Sequence, residues 1–299
     1  MVDRLYPPSL DQITVFLAVV ETGSFAGAGR KLGRATSVIS YAIANLEQQL
    51  GLGLFVRAGS RRPVLTEAGK AILSDTRGIA FALDGLMAKA RGLHDGLESE
   101  VWLVVDVMMP PPRLVAALDA FRHRFPTVAL RLEVEAMGAV TQKILAGASF
   151  GISGPLALEQ DVLVRKAAGA VALIPVAAPG HPLAGTRGPV TATAVRDHIQ
   201  LVLTDRSQLT AGRDFGVLSV KSWRLGDLGA KHALLLAGLG WGNMPAFMVR
   251  DDIARGALVA LTIEGQSDRP YPLHAIHHSA RPPGPAGRWL MARLAEDAS

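Results

Sequence analysis

Thr36, Ser37, Ser40, Tyr41 and Asn45 recur at spacings that line up hydroxyl, phenol and amide groups along one side of a helix. The other side of that helix carries Ile39, Ile43, Leu46 and Leu50. A compact polar face poor in acid suits reading base edges between the phosphate walls of a major groove. Between residues 30 and 62 the bases Arg30, Lys31, Arg34, Arg57, Arg61 and Arg62 stand against the single acid Glu47. Such an excess neutralises phosphates and releases their counterions. The expected division of labour gives base contacts to the third helix, and phosphate contacts to its flanking cations and to Arg57, Arg61 and Arg62.

Three helices and a hairpin must position these groups. Ser9 and Gln12 form a capping-box pair, and Ile13, Phe16, Leu17 and Val20 then share one face. Gly23 stops that helix, and Ser24 can cap a second whose inward face is Phe25, Ala28, Gly29 and Leu32. Residues 33–35 make a turn, Thr36 or Ser37 can cap the third helix, and Gly51 ends it. Leu54, Phe55 and Val56, followed by Val64 and Leu65, read as two short strands around a cationic tip. The order is that of a winged helix-turn-helix.

Thr66 to about His94 reads as one helix, with Ile72, Ile79, Leu86 and Leu93 a heptad apart and Thr76, Leu83 and Ala90 at complementary positions. Ile72, Ile79, Leu83, Leu86 and Leu93 are the expected dimerisation seam. Glycines at 78, 85 and 92 lower its intrinsic helicity, so a surface helix lying on its own domain is the alternative.

Phe16, Ala18, Val19, Gly23-Ser24-Phe25, Ala28, Leu32, Ser40, Ile43, Leu46-Glu47, Leu50-Gly51, Leu54-Phe55, Arg57, Leu65-Thr66 and Ala68-Gly69 together resemble the signature of the LysR-type transcriptional regulators. Gly29 departs from it by standing where the family usually has alanine. Ala35 and Thr36 replace a common Ser-Gln pair, which bears on base preference rather than fold. The resemblance implies an α/β protein with an all-α winged head over residues 1–66 and a linker helix over 67–96. A two-lobed effector-binding domain over 97–299 would resemble periplasmic solute-binding proteins. Its first lobe would cover about 97–160 plus 268–299 and its second about 161–267. The implied partners are double-stranded promoter DNA and a small organic effector, with RNA polymerase a further candidate. The implied assembly is a homodimer or homotetramer, with no cofactor and no membrane.

After Gly96 strands alternate with helices, a pattern that predicts parallel strands with crossover helices. A second set begins near Leu163, and a final strand near residues 273–277 with a helix over 286–295 returns to the first lobe. Ligands gather at the carboxyl ends of strands, in the crevice between halves. Met108, Met109, Glu135, Thr204, Asp205, Asp227 and Asn243 are the expected effector-binding residues, the last in a turn beyond a helix.

Several chemistries find no support. The chain of 299 residues has no cysteine, which excludes disulfides, thiolate metal sites and cysteine redox sensing. No Gly-x-Ser-x-Gly elbow is present, and an enzyme is not expected. Gly238-Leu239-Gly240-Trp241-Gly242 follows a predicted helix, so it reads as a helix stop and turn rather than a phosphate loop. On a strand His274 and His278 face away from His277, so a metal site is not expected. A hydrophobic fraction of 49% with 5% aromatics suits an aliphatic α/β protein, and a net charge of +5 agrees with nucleic-acid binding. Residues 1–10 lack an apolar signal core, and no apolar run approaches the roughly 20 residues that span a bilayer. A soluble cytoplasmic DNA-binding regulator modulated by a small molecule is the expectation. The alternative is an effector-independent DNA-binding protein whose C-terminal domain only oligomerises.

Overall fold

The computed structural model describes residues 7–56, 62–155, 161–204, 207–209, 216–265 and 270–296. Two compact units divide at residues 91 and 92.

The first unit opens with α1 (Leu10–Thr22), α2 (Phe25–Leu32) and α3 (Thr36–Leu50). The capping box forms as its residues predict: the Ser9 amide donates to Gln12 Oε1 at 2.7 Å, and the Gln12 amide to Ser9 Oγ at 3.2 Å. Val15, Phe16, Val19, Ala28, Ile39, Ile43, Leu46, Leu54 and Phe55 make the core, with Phe55 tilted against Phe16 and edge-on to Phe25. Gly29 explains its own departure from the family pattern. A Cβ there would stand 2.7 Å from the Arg34 carbonyl, because the turn between α2 and α3 folds back onto α2.

The cap of α3 differs from expectation. Ala35 is the N-cap and supplies no side-chain acceptor, while Thr36 and Ser37 are already helical. Their hydroxyls are spared from capping and remain exposed. The expected hairpin strands reduce to one antiparallel bridge, Phe55 with Leu65, flanked by bonds from Val56 N to Val64 O and from Thr66 N to Leu54 O. Arg57 and Arg61 lie outside the described residues.

Next, α4 (Glu67–His94) runs as a single helix of 28 residues. Ile72 and Leu73 pack against the head's own core and Thr76 is buried, so the start of this helix belongs to the head rather than to a free seam. Ile79, Leu86 and Leu93 stay exposed, as does Phe81 at 81%.

The second unit holds two five-stranded sheets. In chain order its elements are β1 (Glu100–Asp106), α5 (Pro111–Arg124), β2 (Ala129–Glu135), α6 (Gly138–Leu145), β3 (Phe150–Ser153), β4 (Leu163–Val171) and β5 (Leu173–Ala177). A 3-10 turn over Pro182–Gly185 precedes α7 (Ala192–Arg196), β6 (Gln200–Leu203), β7 (Ser222–Leu225), α8 (Leu228–Leu236), β8 (Trp241–Pro245), α9 (Ala246–Ala254), β9 (Val259–Ala260), β10 (Tyr271–His278) and α10 (Pro285–Glu296). The first sheet runs β2-β1-β3-β10-β4 and the second β7-β6-β8-β5-β9.

Both sheets are mixed rather than parallel throughout. β1 pairs in parallel with β2 and β3, but β10 lies antiparallel to β3 and β4. β4, which the alternation gives to the second lobe, is the edge of the first sheet, so the chain crosses between lobes at Ala172 and returns before Tyr271. Apolar side chains of β4 could pack in either lobe, and only its pairing with β10 decides.

β8 is the other surprise. Gly238, at φ +76°, ends the turn after α8, and the following residues form a strand rather than the expected turn. Glycine weakens a strand, which hides it in the sequence. Here a Cβ at Gly240 or Gly242 would lie 2.5 or 2.6 Å from the carbonyls of Ile199 and Leu201.

Glu47 joins α3 to the segment that follows it: its Oε1 accepts the amides of Leu54 at 2.6 Å and Phe55 at 3.1 Å. Glu47→Ala is expected to cost about 1–3 kcal/mol of stability, because two donors beside the core lose a charged acceptor. Urea unfolding measures the loss, and Glu47→Gln should recover part of it.

Candidate DNA-reading face and ligand cavity

Along α3, Thr36, Ser37, Ser40 and Tyr41 are exposed, Tyr41 at 69%, and Asn45 is half-buried. They share the side turned away from Ile39, Ile43 and Leu46. Ser40 Oγ donates to the Thr36 carbonyl at 3.0 Å, a local bond that a base acceptor can replace. No acid on α3 shares this face, since Glu47 is turned to Leu54 and Phe55.

The cations around it are not equivalent. Arg30 is exposed at the end of α2. Arg34 makes a two-pronged ion pair with Asp11 of α1, at 2.8 Å for each prong, and its guanidinium holds the Asp11 carboxyl below the usual carboxylate range. Lys31 pairs with Glu21. Both pairs are exposed, and exposed pairs hold their charges weakly. Arg34 therefore has a releasable intramolecular partner beside the reading face, contributed by an acid outside the basic segment.

In the second unit a cavity of about 210 Å³ is walled by both lobes. The first lobe contributes Met108 after β1, Met137 after β2, Pro155, and Tyr271 at the start of β10. The second contributes Leu173, residues 200–203 of β6, Gly216, Lys231 of α8 and Asn243 of β8.

The wall from the first lobe is set by Asp106, buried at 1% exposure. Its carboxylate accepts the amides of Met108 at 2.9 Å and Met137 at 3.1 Å and the hydroxyl of Tyr271 at 2.9 Å. Burial pushes its pKa up, and the bonds from Met108, Tyr271, Met137 and Gly154 pull it back down. Met137 is held at φ 49°, the only non-glycine with positive φ among the described residues. A conformation of that kind costs roughly 1–3 kcal/mol and persists only where its surroundings fix it; the bond to Asp106 is one such constraint. On the other wall, Gln200 Oε1 accepts the amides of Leu218 and Ser219 while its Nε2 donates to Gly216 O. Lys231, 3% exposed, donates from Nζ to the Asn243 carbonyl at 2.7 Å, and burial pushes its ammonium down to about 8.

The expected effector residues divide. Met108 and Asn243 line this cavity. Glu135, Thr204 and Asp227 line a neighbouring, more polar one of about 220 Å³. There Asp227 caps α8 by accepting the Ala230 amide, and Glu135 lies 4.0 Å from Lys143. Met109 packs in the core of the first lobe, and Asp205 lies outside the described residues. Asn243 sits on β8 and not in a turn.

Lys231, Gln200, Met137 and Tyr271 are additions that the sequence does not single out. Lys231 left a signal: Leu228, Lys231 and Leu235 fall at i, i+3 and i+7, so a lysine interrupts the buried stripe of an apolar helix. Among the described residues no group of three or more His, Asp or Glu side chains converges on a metal position. No described helix is long and apolar enough to cross a membrane.

A helix-turn-helix head joined to a two-lobed domain with a cavity between its sheets defines a DNA-binding regulator modulated by a small molecule. Residues 10–70 match the model of the bacterial regulatory helix-turn-helix proteins of the lysR family, and residues 94–299 match the LysR substrate binding domain. The chain belongs to the LysR family of transcriptional regulators. The transcriptional activator AllS of Salmonella typhimurium is 31% identical over 275 residues, spanning 90% of this chain and 88% of that protein. The regulator AceR of Acinetobacter baumannii is 29% identical, spanning 81% and 80%. The solved structure of the Corynebacterium glutamicum OxyR C206 mutant shares the fold at a TM-score of 0.56 and 20% identity, covering 98% of this chain and 94% of that one.

Two outcomes follow from this geometry. Asp11→Asn removes Arg34's partner and should tighten binding to any duplex, with the salt dependence of the binding constant steepening by up to about one phosphate equivalent. Anisotropy titrations across salt concentrations measure both. An ordinary lysine titrates near 10.5 and Lys231 near about 8, so between those values the unfolded chain binds more protons and stability rises with pH. Lys231→Met should therefore stabilise the fold below pH 8, by up to roughly 3 kcal/mol before the lost hydrogen bond is subtracted. That gain should fade as pH approaches 10.5 in thermal unfolding.

Proposed function

We propose that the chain acts in the cytoplasm as a dimer or tetramer that reads partly palindromic promoter DNA with α3. On this reading Ser37, Ser40, Tyr41 and Asn45 meet base edges, with Thr36 beside them at the start of the helix. Arg30, Arg34, Arg57, Arg61 and Arg62 meet phosphates. A small organic effector occupies the cavity between the lobes and changes transcription by favouring one arrangement of the oligomer. RNA polymerase is the partner through which that change is transmitted, and no catalytic step is involved.

The cavity shared by two lobes carries this reading. A ligand touching Met108 and Tyr271 on one side and Leu201 and Asn243 on the other has different contacts in open and closed lobes, which is the condition for shifting their equilibrium. Selection from random duplexes should return a two-fold related pair of half-sites. A single half-site would overturn the dimeric reading.

The exposed side of α4 supports dimerisation, with Ile79, Leu86 and Leu93 at 42%, 62% and 49% exposure and one heptad apart. Ile79→Asp combined with Leu86→Asp should dissociate the dimer and weaken operator binding at least about tenfold, since each half-site is then held alone. Light scattering and anisotropy check the two effects, and an unchanged oligomer would place the seam elsewhere.

A further inference from the structure

The cavity's second-lobe wall contains an ammonium that no described acid pairs. Lys231 is 3% exposed, and among the described residues its one polar partner is the neutral carbonyl of Asn243. A lysine ammonium has three donors, and a charge withdrawn from water is ordinarily paired or neutralised. Two described acids of the unit are engaged otherwise: Asp106 accepts from Met108, Met137 and Tyr271, and Asp227 caps α8. Room for the lysine stem comes from Gly242, where a Cβ would stand 3.2 Å from Lys231 Cε.

We propose that the ligand of this cavity is a compact organic monoanion, an apolar body bearing one carboxylate, and that the carboxylate pairs with Lys231. This rests on the cavity's being the effector site and adds the chemical class. A volume of about 210 Å³ lies below the roughly 300–1,000 Å³ of pockets for drug-sized ligands, which favours a small acid. Met108, Met137, Leu173 and Leu203 supply apolar surface beside the polar Gln200, Asn243 and Tyr271, and the methionines make it deformable. Lys231 is the one cation among the described lining residues, and it matches a single negative charge. Phosphate groups are usually gripped by arginine forks, and no arginine is among the described lining residues.

The test uses the full-length protein with benzoate, hexanoate and 4-methylpentanoate, the corresponding amides, and phenyl phosphate, followed by thermal shift and calorimetry. At least one carboxylate should bind saturably, with its amide about tenfold weaker or worse and phenyl phosphate weaker than benzoate. Lys231→Met should remove that preference, leaving acid and amide equal, while its melting temperature reports that the fold is intact. Lys231→Gln serves the same purpose should methionine disturb packing. Amides that bind as well as acids, phenyl phosphate that binds more tightly than benzoate, or carboxylate affinity unchanged in both variants would overturn the assignment. Neutral compounds that alone bind and alter DNA affinity would overturn the anionic class and leave the effector reading standing. A panel in which nothing binds would count against both.

Discussion

The ligand-binding unit is organised around a carboxylate that is costly to bury. Asp106 ends β1 at 1% exposure, and its oxygens collect donors from segments far apart in the chain: the loop after β1, the loop after β2 and the first residue of β10. A buried acid without such donors would be neutralised or would destabilise the fold, so these segments are held where the oxygens require them. The same three residues, Met108, Met137 and Tyr271, make the first-lobe wall of the cavity together with Pro155. Gly154 shows how tightly they are placed, since a Cβ there would overlap the Tyr271 hydroxyl. Shape in the cavity is thus a consequence of satisfying one charge.

The second lobe answers with a different arrangement. Gln200 spends its amide on the backbone of residues 216–219, which fixes one end of the wall, and Lys231 spends one of its donors on Asn243. One lobe brings a buried carboxyl group with internal donors; the other brings a buried amine with one described polar partner. That asymmetry gives the cavity a polarity that its apolar lining alone would lack. In the head the opposite principle holds, because cations such as Arg30 and Arg34 are exposed and the ion pair of Arg34 with Asp11 is weakly held. A weakly held charge can be transferred to phosphate at small cost.

Much of the head is legible in the sequence because its signals are local: the Ser9 and Gln12 capping box, the helix-ending Gly23 and Gly51, and the polar side of α3 against Ile39, Ile43 and Leu46. The cap of α3 is not, since Ala35 takes a position where Thr36 or Ser37 would be the better acceptor. Lobe membership of β4 is invisible, because pairing with β10 more than a hundred residues away decides it. β8 is hidden by glycines that local propensity assigns to a turn and sheet packing requires. Met108 reaches the cavity from a strand end, whereas Lys231 and Tyr271 arrive through tertiary contacts that no local spacing reports. Ile72 falls on the heptad yet packs into the head, because the first turns of α4 must also close that core.

Amide hydrogen exchange in Asp106→Asn tests the claim that the Asp106 carboxylate builds the first-lobe wall. Asparagine keeps the shape, removes the charge and turns an N–H₂ group toward a donor. Loss of the bonds at one oxygen, about 1–3 kcal/mol, predicts that the Met108 or the Met137 amide exchanges roughly ten- to a hundredfold faster. Amides in the middle of β1 and in α1 to α3 should keep their wild-type rates. Unchanged exchange at Met108 and Met137, or a uniform rise along the whole chain, would contradict the claim.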